Sequence, residues 1–517
     1  MSFDKLQIKN FAYDSDIGPR QPESPLVYRP GGFHPVILGS VISSAKTRYH
    51  VVHKLGSGGY ATVWLVQDLS SYAWYALRVR MASCSCEGED DVLDRLRSMP
   101  RSPHLPTIFD IFTIEGPNGR HVVIVADIIA PLDDTLNQIR NERLDLKTIV
   151  RGLVEAVADL HGSGIIHGDL HVRNVGLAMP LHGLEVKPSA PLRCPVLAQA
   201  ELIPVVGETP EVLELSSHFP PYLVCPIELG AYYEELRDAK EPHVVKLFDF
   251  GNAHLVEKPR PAGGFMSSIA PPEWTIVNSI DKQAKIVFDA ASDIWALGLL
   301  IFNVMTGGRS LIPRTNDRLS EMVKLAGAVP SSWDVYPAAN VLSASGITPR
   351  SADNLWQQHR ADLRNVCSSE QDVDALIALL RRVLVLDPAA RPSAADILRD
   401  PWFTLAHRSD RSPGSTRSSA QRTGTSPNYM HGPPPVPYPH NGVQGAQHVP
   451  MYPGQYGAFQ PQPQYFSPPS VHPAAYAHPL NHHVPFNPHA SNHGQAPYTA
   501  LNTPQYFMAA GAWTPRA

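Results

Sequence analysis

No run of apolar residues in this 517-residue chain reaches the ~18 that a membrane-crossing helix needs. The opening Met1-Ser2-Phe3-Asp4-Lys5-Leu6 lacks an apolar core of signal-peptide length. Basic residues are not in excess. The 43 Lys and Arg face 48 Asp and Glu, a net charge of −5, so no nucleic-acid surface or basic membrane face is expected. Cysteine is scarce too. The five, at 84, 86, 194, 225 and 367, offer no metal spacing beyond Cys84-x-Cys86, which is too tight for a zinc knuckle, and they read as reduced thiols. Together these absences predict a soluble protein of the cytoplasm and/or nucleus, with no membrane and no direct nucleic-acid partner.

What is present divides the chain. Residues 1–48, rich in proline and glycine and weak in periodicity, read as an extended lead-in. Alternating apolar runs around Tyr49–Leu55, Ala61–Gln67 and Trp74–Arg80 predict antiparallel strands, with turns at Gly56–Gly59 and Leu69–Tyr72. Asp90–Met99 reads as a helix, and Thr107–Glu115 and His121–Ile128 as strands joined through Pro117-Asn118-Gly119. From Leu146 the period becomes helical: Ile149, Leu153, Val157 and Leu160 share a face, and Gly162-Ser163-Gly164 stops the helix. Later segments are mostly helical, notably Ser292–Met305, with Ser292 or Asp293 as N-cap, and Asp372–Leu386. Beyond about residue 406 the composition turns to Pro, His, Tyr, Gln and Ser, too poor in apolar residues to offset chain entropy, so residues 406–517 are expected to be disordered.

Chemistry concentrates in two stretches. Within Ile165–Val175, a carboxylate, Asp169, stands five residues before a carboxamide, Asn174, on a loop between apolar runs. Asp249-Phe250-Gly251 supplies another carboxylate on a short turn. Phosphoryl transfer needs such parts: a carboxylate to accept a hydroxyl proton, and oxygen ligands for Mg2+. Upstream, Leu55-Gly56-Ser57-Gly58-Gly59-Tyr60-Ala61-Thr62-Val63 joins two predicted strands. Glycines there let backbone N–H groups approach phosphates, and the absence of a following helix argues against a dinucleotide fingerprint.

In this order, over roughly residues 45–405, these residues resemble the eukaryotic protein kinases. Tyr28–Val36 with Leu55–Trp64 resembles more narrowly the SR-protein kinases of fungi, which phosphorylate serines in Arg-Ser-rich proteins. The 75 positions between Asn174 and Asp249 exceed what one hairpin needs, and SR-protein kinases carry their spacer at this place. The resemblance implies an α+β bilobal protein-kinase fold, with a small, mainly antiparallel β lobe at 49–130 and a larger, mainly α lobe at 131–405. The insert, about 178–243, is expected to hold one or two short helices docked on the large lobe. ATP, Mg2+, an Arg-Ser-rich protein substrate and a monomer are implied as well.

Carried over residue by residue, Asp169 resembles the catalytic base, and Asn174 and Asp249 the metal ligands. Glu89 resembles the helix glutamate. Leu55, Gly56, Ser57, Gly58, Gly59, Val63, Ala76, Arg78, Ala126, Asp127 and Ile129 fall at nucleotide-binding positions, with 127–129 as the hinge that meets adenine. Ala126 holds the gatekeeper position, where a methyl leaves an apolar cavity behind the adenine. Glu273, in Pro271-Pro272-Glu273, resembles the buried acid that pairs with Arg391, and Asp293 the residue that braces the catalytic loop.

Four positions depart from the family pattern. Arg78 replaces the strand lysine; it keeps the charge but changes its geometry, so weakened turnover is expected. His171 replaces the catalytic-loop lysine and makes that cation dependent on pH. Gly168 replaces the arginine before the catalytic aspartate, which argues against control by loop phosphorylation. Ala270 stands where SR-protein kinases place an arginine. Two alternatives stay open: a pseudokinase that holds ATP without transfer, favoured by Arg78 and His171, and a small-molecule kinase of the choline or aminoglycoside type.

Overall fold

The protein is described from a computed structural model, which covers Phe11–Ala12 and residues 21–405, apart from 85–87, 134, 136–144, 181–199, 208–215, 238–240, 262–266, 281–286, 314, 316 and 334–346. The chain divides into two units, Met1–Gly414 and Ser415–Ala517. The tail at 406–517, expected to be disordered, lies outside the described residues.

The small lobe is one six-stranded antiparallel sheet. Its strands are β1 (Val41–Ser43), β2 (Arg48–Ser57), β3 (Ala61–Asp68), β4 (Trp74–Arg80), β5 (Ile108–Gly116) and β6 (Gly119–Ala126), in the order β1-β2-β3-β4-β6-β5. Alternation in these segments turns Val51, Trp64, Val66, Leu77, Val79, Val123 and Val125 into one apolar cluster. Pro117-Asn118 closes the β5–β6 hairpin, and Gly119 takes φ +124, which a side chain would resist. Helix α1 (Glu89–Ser98) crosses from this sheet, and its Val92 joins the core of the large lobe.

That second core is built on two long helices. α2 (Leu146–Gly162) begins at Asp145, whose carboxylate accepts from the N–H groups of Lys147 and Thr148. It buries Ile149, Leu153, Val157 and Leu160, the face marked by the sequence period. α3 (Ala290–Thr306) starts one turn earlier than its apolar pattern suggested. The N-cap is Asp289, with Ser292 as its capping-box partner, because a carboxylate and a hydroxyl three residues apart satisfy each other's backbone donors. Gly307 ends the helix at φ +67. The downstream helix spans Glu370–Val383, capped by Ser369.

Three expectations need correction. The lead-in is not all extended chain outside the lobe, since Val41–Ser43 forms an edge strand on β2. Farther upstream, Tyr28 and Phe33 pack against Ile203, Phe219 and Leu223 of the insert. The insert likewise does not dock only on the large lobe. Its helix Leu229–Leu236 does sit there, through Leu229 and Tyr233, but Leu202–Pro204 pairs with Tyr222–Val224 and packs on the small lobe and the lead-in. Asn118 knots the three parts: its amide nitrogen donates to Phe33 O (2.6 Å) and His218 O (2.9 Å). Finally, Cys84 is disulfide-bonded rather than a reduced thiol, while Cys225 and Cys367 are buried free thiols.

The lead-in also brings His34 onto the sheet. Its ring lies 4.9 Å from that of His121, and a Cβ on Gly116 would collide with it. Burial, with the neighbouring His121, lowers the His34 pKa to about 4; burial also lowers that of His121. A histidine held below its unfolded pKa contributes stability above about pH 6.5 and loses it as pH falls towards the folded value. We therefore expect acidification from pH 7.5 to 5 to cost about 2 kcal/mol at His34 alone. Thermal unfolding across this range should show the loss, and His34→Gln should flatten it; an equal slope in the variant would contradict the assignment.

Candidate active site

The Gly-rich turn between β2 and β3 is open backbone. Gly58 N–H donates to Ala61 O at 2.9 Å, and a Cβ at Gly56, Gly58 or Gly59 would meet nothing within 4 Å. Such a surface lets phosphate-sized groups reach backbone donors. Leu55 is half-buried at the end of β2, and Ser57 lies at the exposed tip. Across the strands, Val63 pairs with Arg78, and Ala76 with Ala126. Ala126 is half-buried at the end of β6, next to Asp127, whose carboxylate accepts from Thr107 N–H (2.8 Å) and Lys246 Nζ (2.8 Å). Those bonds hold the strand-to-hinge corner, and Ile129 follows it in the strand Ile129–Pro131.

Arg78 projects from β4 to α1. Its Nη1 donates to Glu89 Oε1, while Nη2 lies 3.7 Å from Asp249 Oδ1. Burial disfavours the guanidinium charge, but Glu89 and then Asp249 outweigh it and raise the Arg78 pKa. The substituted arginine therefore makes the helix ion pair.

The catalytic-loop stretch hangs from α3. Asp293, fully buried in the first turn, accepts from the N–H groups of His167 (2.8 Å) and Gly168 (2.9 Å), and His161 Nε2 of α2 lies 3.0 Å away. Burial alone would raise the Asp293 pKa, but His161 and His167 overcome it and hold the carboxyl ionised. Gly168 takes φ +73, and a Cβ there would sit 2.9 Å from Asn252 O. The missing arginine thus reflects a backbone that bends where a side chain does not fit.

Asp169 follows that bend. Its Oδ2 accepts from Asn252 Nδ2 (3.2 Å), and His171 Nε2 stands 3.6 Å from Oδ1. Oδ1 is buried and has no hydrogen-bond partner among the described residues. Burial pushes the Asp169 pKa up, but His171, then His167 and Asn252, outweigh it, so the net shift is downward and the group stays ionised at neutral pH. Asn174 donates from Nδ2 to Asp169 O at 2.9 Å, which commits the amide nitrogen and leaves the carboxamide oxygen as an acceptor. Phe248 N–H donates to Asn174 O (2.9 Å) and brings up Asp249, a non-glycine residue at φ +64. Asp249 is half-exposed and accepts from Gly251 N–H at 3.2 Å. The ring of Phe250 packs 5.5 Å from that of His167.

The carboxamide oxygen of Asn174 and the half-exposed carboxylate of Asp249 are oxygen donors of the kind a hard cation such as Mg2+ takes, while the orphaned Oδ1 of Asp169 is open to accept a proton. Asp169, His171, Asn174 and Asp249 thus come together, with Arg78 and Glu89 on the small-lobe side. Sequence reasoning missed Asn252, His161 and Arg80. Asn252 directly follows Asp249-Phe250-Gly251, and Arg80 is the next residue on the Arg78 face of β4; those adjacencies were the available signals.

Below the site, Arg391 grips Glu273 with two guanidinium nitrogens (2.9 and 2.6 Å) and donates to Ala291 O (2.8 Å). This pair is structural and ties the Pro271-Pro272-Glu273 segment to α3.

Residues 236–403 match the family described as "Protein kinase domain". The "Serine/threonine-protein kinase spk-1" of Caenorhabditis elegans is 31% identical over 179 residues, 32% of this chain and 18% of that protein. The "Serine/threonine-protein kinase SRPK" of Physarum polycephalum is 25% identical over 412 residues, 73% of this chain and 90% of that protein. The human "SRSF protein kinase 3" is 34% identical over 174 residues, 31% of this chain and 30% of that protein. The chain spans under a fifth of the nematode kinase and nine-tenths of the Physarum one. The fold is the bilobal protein-kinase fold, and residues 236–403 are similar to the protein kinase domain family.

Restoring the family arginine at Gly168 should therefore harm the protein. A side chain in the left-handed region costs about 1–2 kcal/mol before the collision with Asn252 O is counted. Gly168→Arg should lower the thermal midpoint and the rate of any phosphate transfer; an unchanged midpoint would contradict the backbone argument.

Proposed function

We propose that this chain is an ATP-dependent serine/threonine protein kinase of the SR-protein-kinase kind, acting on serines in Arg-Ser-rich proteins. The observation that supports it most is the meeting of Asp169, Asn174 and Asp249 beside an Arg78–Glu89 ion pair. Bound Mg2+–ATP would supply the phosphoryl group, with the cation held by Asn174 and Asp249. Asp169, kept ionised by His171 and Asn252, accepts the proton of the attacking serine hydroxyl through its unpartnered Oδ1. Arg78 neutralises the α- and β-phosphates, and Glu89 fixes its direction. The open turn at Gly56–Gly59 covers the phosphates, and the 127–129 corner takes the adenine edge.

The reading fits a slow enzyme rather than an inert one. Arginine reaches Glu89, so the pair that orients the phosphates is kept, although a planar fork replaces a point charge. On an Arg-Ser repeat peptide, wild type should transfer phosphate from ATP and Arg78→Lys should transfer it faster. Asp169→Ala should lose at least about 10²-fold in kcat. Nucleotide binding without transfer in all three would overturn the proposal and favour a pseudokinase.

A second outcome concerns Ala126. With a methyl at the end of β6, purine nucleotides bearing a bulky aromatic extension should bind at least about tenfold more weakly to Ala126→Phe than to wild type, because the added ring occupies the same space. Equal affinity in both proteins, measured by competition against ATP, would show that neighbouring side chains already fill it.

A further inference from the structure

Glu89 has two arginines, not one. Arg78 and Arg80 lie two residues apart on β4 and so share a face of the strand. Arg78 Nη1 takes Oε1 of Glu89, and Arg80 Nε stands 3.1 Å from Oε2. Arg80 is 3% exposed and Glu89 1%. Arg80 also reaches forward, with Nη1 donating to Asp90 Oδ1 at 2.9 Å. Its Nε and Nη2, and Glu89 Oε2, have no hydrogen-bond partner among the described residues, so the 3.1 Å approach is a charge contact out of hydrogen-bond alignment. A third guanidinium comes from beyond the Asp-Phe-Gly turn: Arg260 donates to Gly251 O and feels the charge of Glu89.

A carboxylate shared between two arginines holds each less tightly than a carboxylate owned by one, because its charge is divided. The consequence falls on Arg78. A guanidinium drawn fully onto Glu89 in both directions would turn away from the cleft. Here only Nη1 is committed to Glu89, and Nη2 points to Asp249 at 3.7 Å. A lysine would serve both sides from one ammonium centre; an arginine at position 78 does so with two separate nitrogens, and keeps the second one free of the acid when something else occupies the acid's second oxygen.

We propose that Arg80 is a positioning residue for the nucleotide: it occupies Oε2 of Glu89 and thereby keeps the Nη2 of Arg78 directed to the phosphate side of the cleft. The inference rests on the kinase reading above, and it explains how the chain works with arginine in place of the strand lysine. Arg80 touches no reacting group itself. Its effect passes through Glu89 to Arg78.

The test uses the full chain. Arg80→Gln removes the charge and keeps a polar side chain; Arg80→Lys keeps the charge. Mg2+–ATP affinity is read from a fluorescent ATP analogue, and kcat and both KM values from transfer to an Arg-Ser repeat peptide. We expect Arg80→Gln to weaken Mg2+–ATP affinity and to lower kcat/KM for ATP by about tenfold while leaving the peptide KM in place, with Arg80→Lys recovering most of the loss. In a Glu89→Gln background, Arg80→Gln should add little, since the path runs through that carboxylate. If Arg80→Gln does not fold, Arg80→Met takes its place under the same criteria. Wild-type affinity and kcat/KM in the charge-removing variant, or an equal further loss in the Glu89→Gln background, would overturn the proposal. A wild type that binds nucleotide but transfers no phosphate would instead refute the kinase reading, and the affinities would still report on Arg80.

Discussion

One buried carboxylate sets the large-lobe half of the site. Asp293 sits in the first turn of α3, where the helix N-terminus favours a negative charge, and it accepts from two successive backbone N–H groups, of His167 and Gly168. Two donors on one acceptor fix the direction in which the chain leaves Gly168, and Asp169 is the next residue. Everything the loop presents afterwards follows from that bend: the orphaned Oδ1 of Asp169, the carboxamide of Asn174 tied to Asp169 O, and the anchor that Asn174 O gives to Phe248 and hence to Asp249. The cost of burying Asp293 is met by His161 and His167, so a charge-and-hydrogen-bond network deep in the lobe positions groups at its edge.

The small-lobe half depends on Glu89 in the same way. A carboxylate almost without solvent, at the start of α1, needs cationic partners, and β4 supplies two from one face. This joins the helix to the sheet and leaves one nitrogen of Arg78 on the side of Asp249. The two halves therefore meet through the Arg78–Asp249 charge contact. The outer side of the small lobe is completed by chain from elsewhere, the lead-in and the insert, knotted at Asn118 and packed with Tyr28 and Phe33.

Much of this was legible in the sequence, and the reason is physical. Period-two alternation at Arg48–Ser57, Ala61–Asp68 and Trp74–Arg80, and the helical period from Leu146, are local signals of local structure. The spacing of Asp169 and Asn174 placed both on one loop, where the Asn174 amide donates to Asp169 O. What escaped was non-local or geometric. The edge strand Val41–Ser43 is three residues long and exists because β2 offers it an edge. The ladder between Leu202–Pro204 and Tyr222–Val224 joins segments with no shared turn, so nothing in either predicts the other. The N-cap of α3 lay before the apolar pattern, in Asp289, and the meaning of Gly168 became clear only once its positive φ and the nearby Asn252 carbonyl were seen together. Arg80 ends the predicted strand Trp74–Arg80, and nothing local in the sequence marks its burial against Glu89.

The central claim is that Asn174 and Asp249 grip one magnesium–nucleotide complex beside Asp169. The most direct measurement is the affinity for ATP, followed by a binding assay as Mg2+ is titrated, in wild type and in an Asn174→Ala, Asp249→Asn double variant whose thermal unfolding is checked in parallel. The account predicts that Mg2+ tightens ATP binding in wild type by at least about tenfold and hardly at all in the folded double variant. An equal Mg2+ dependence in both proteins would contradict it.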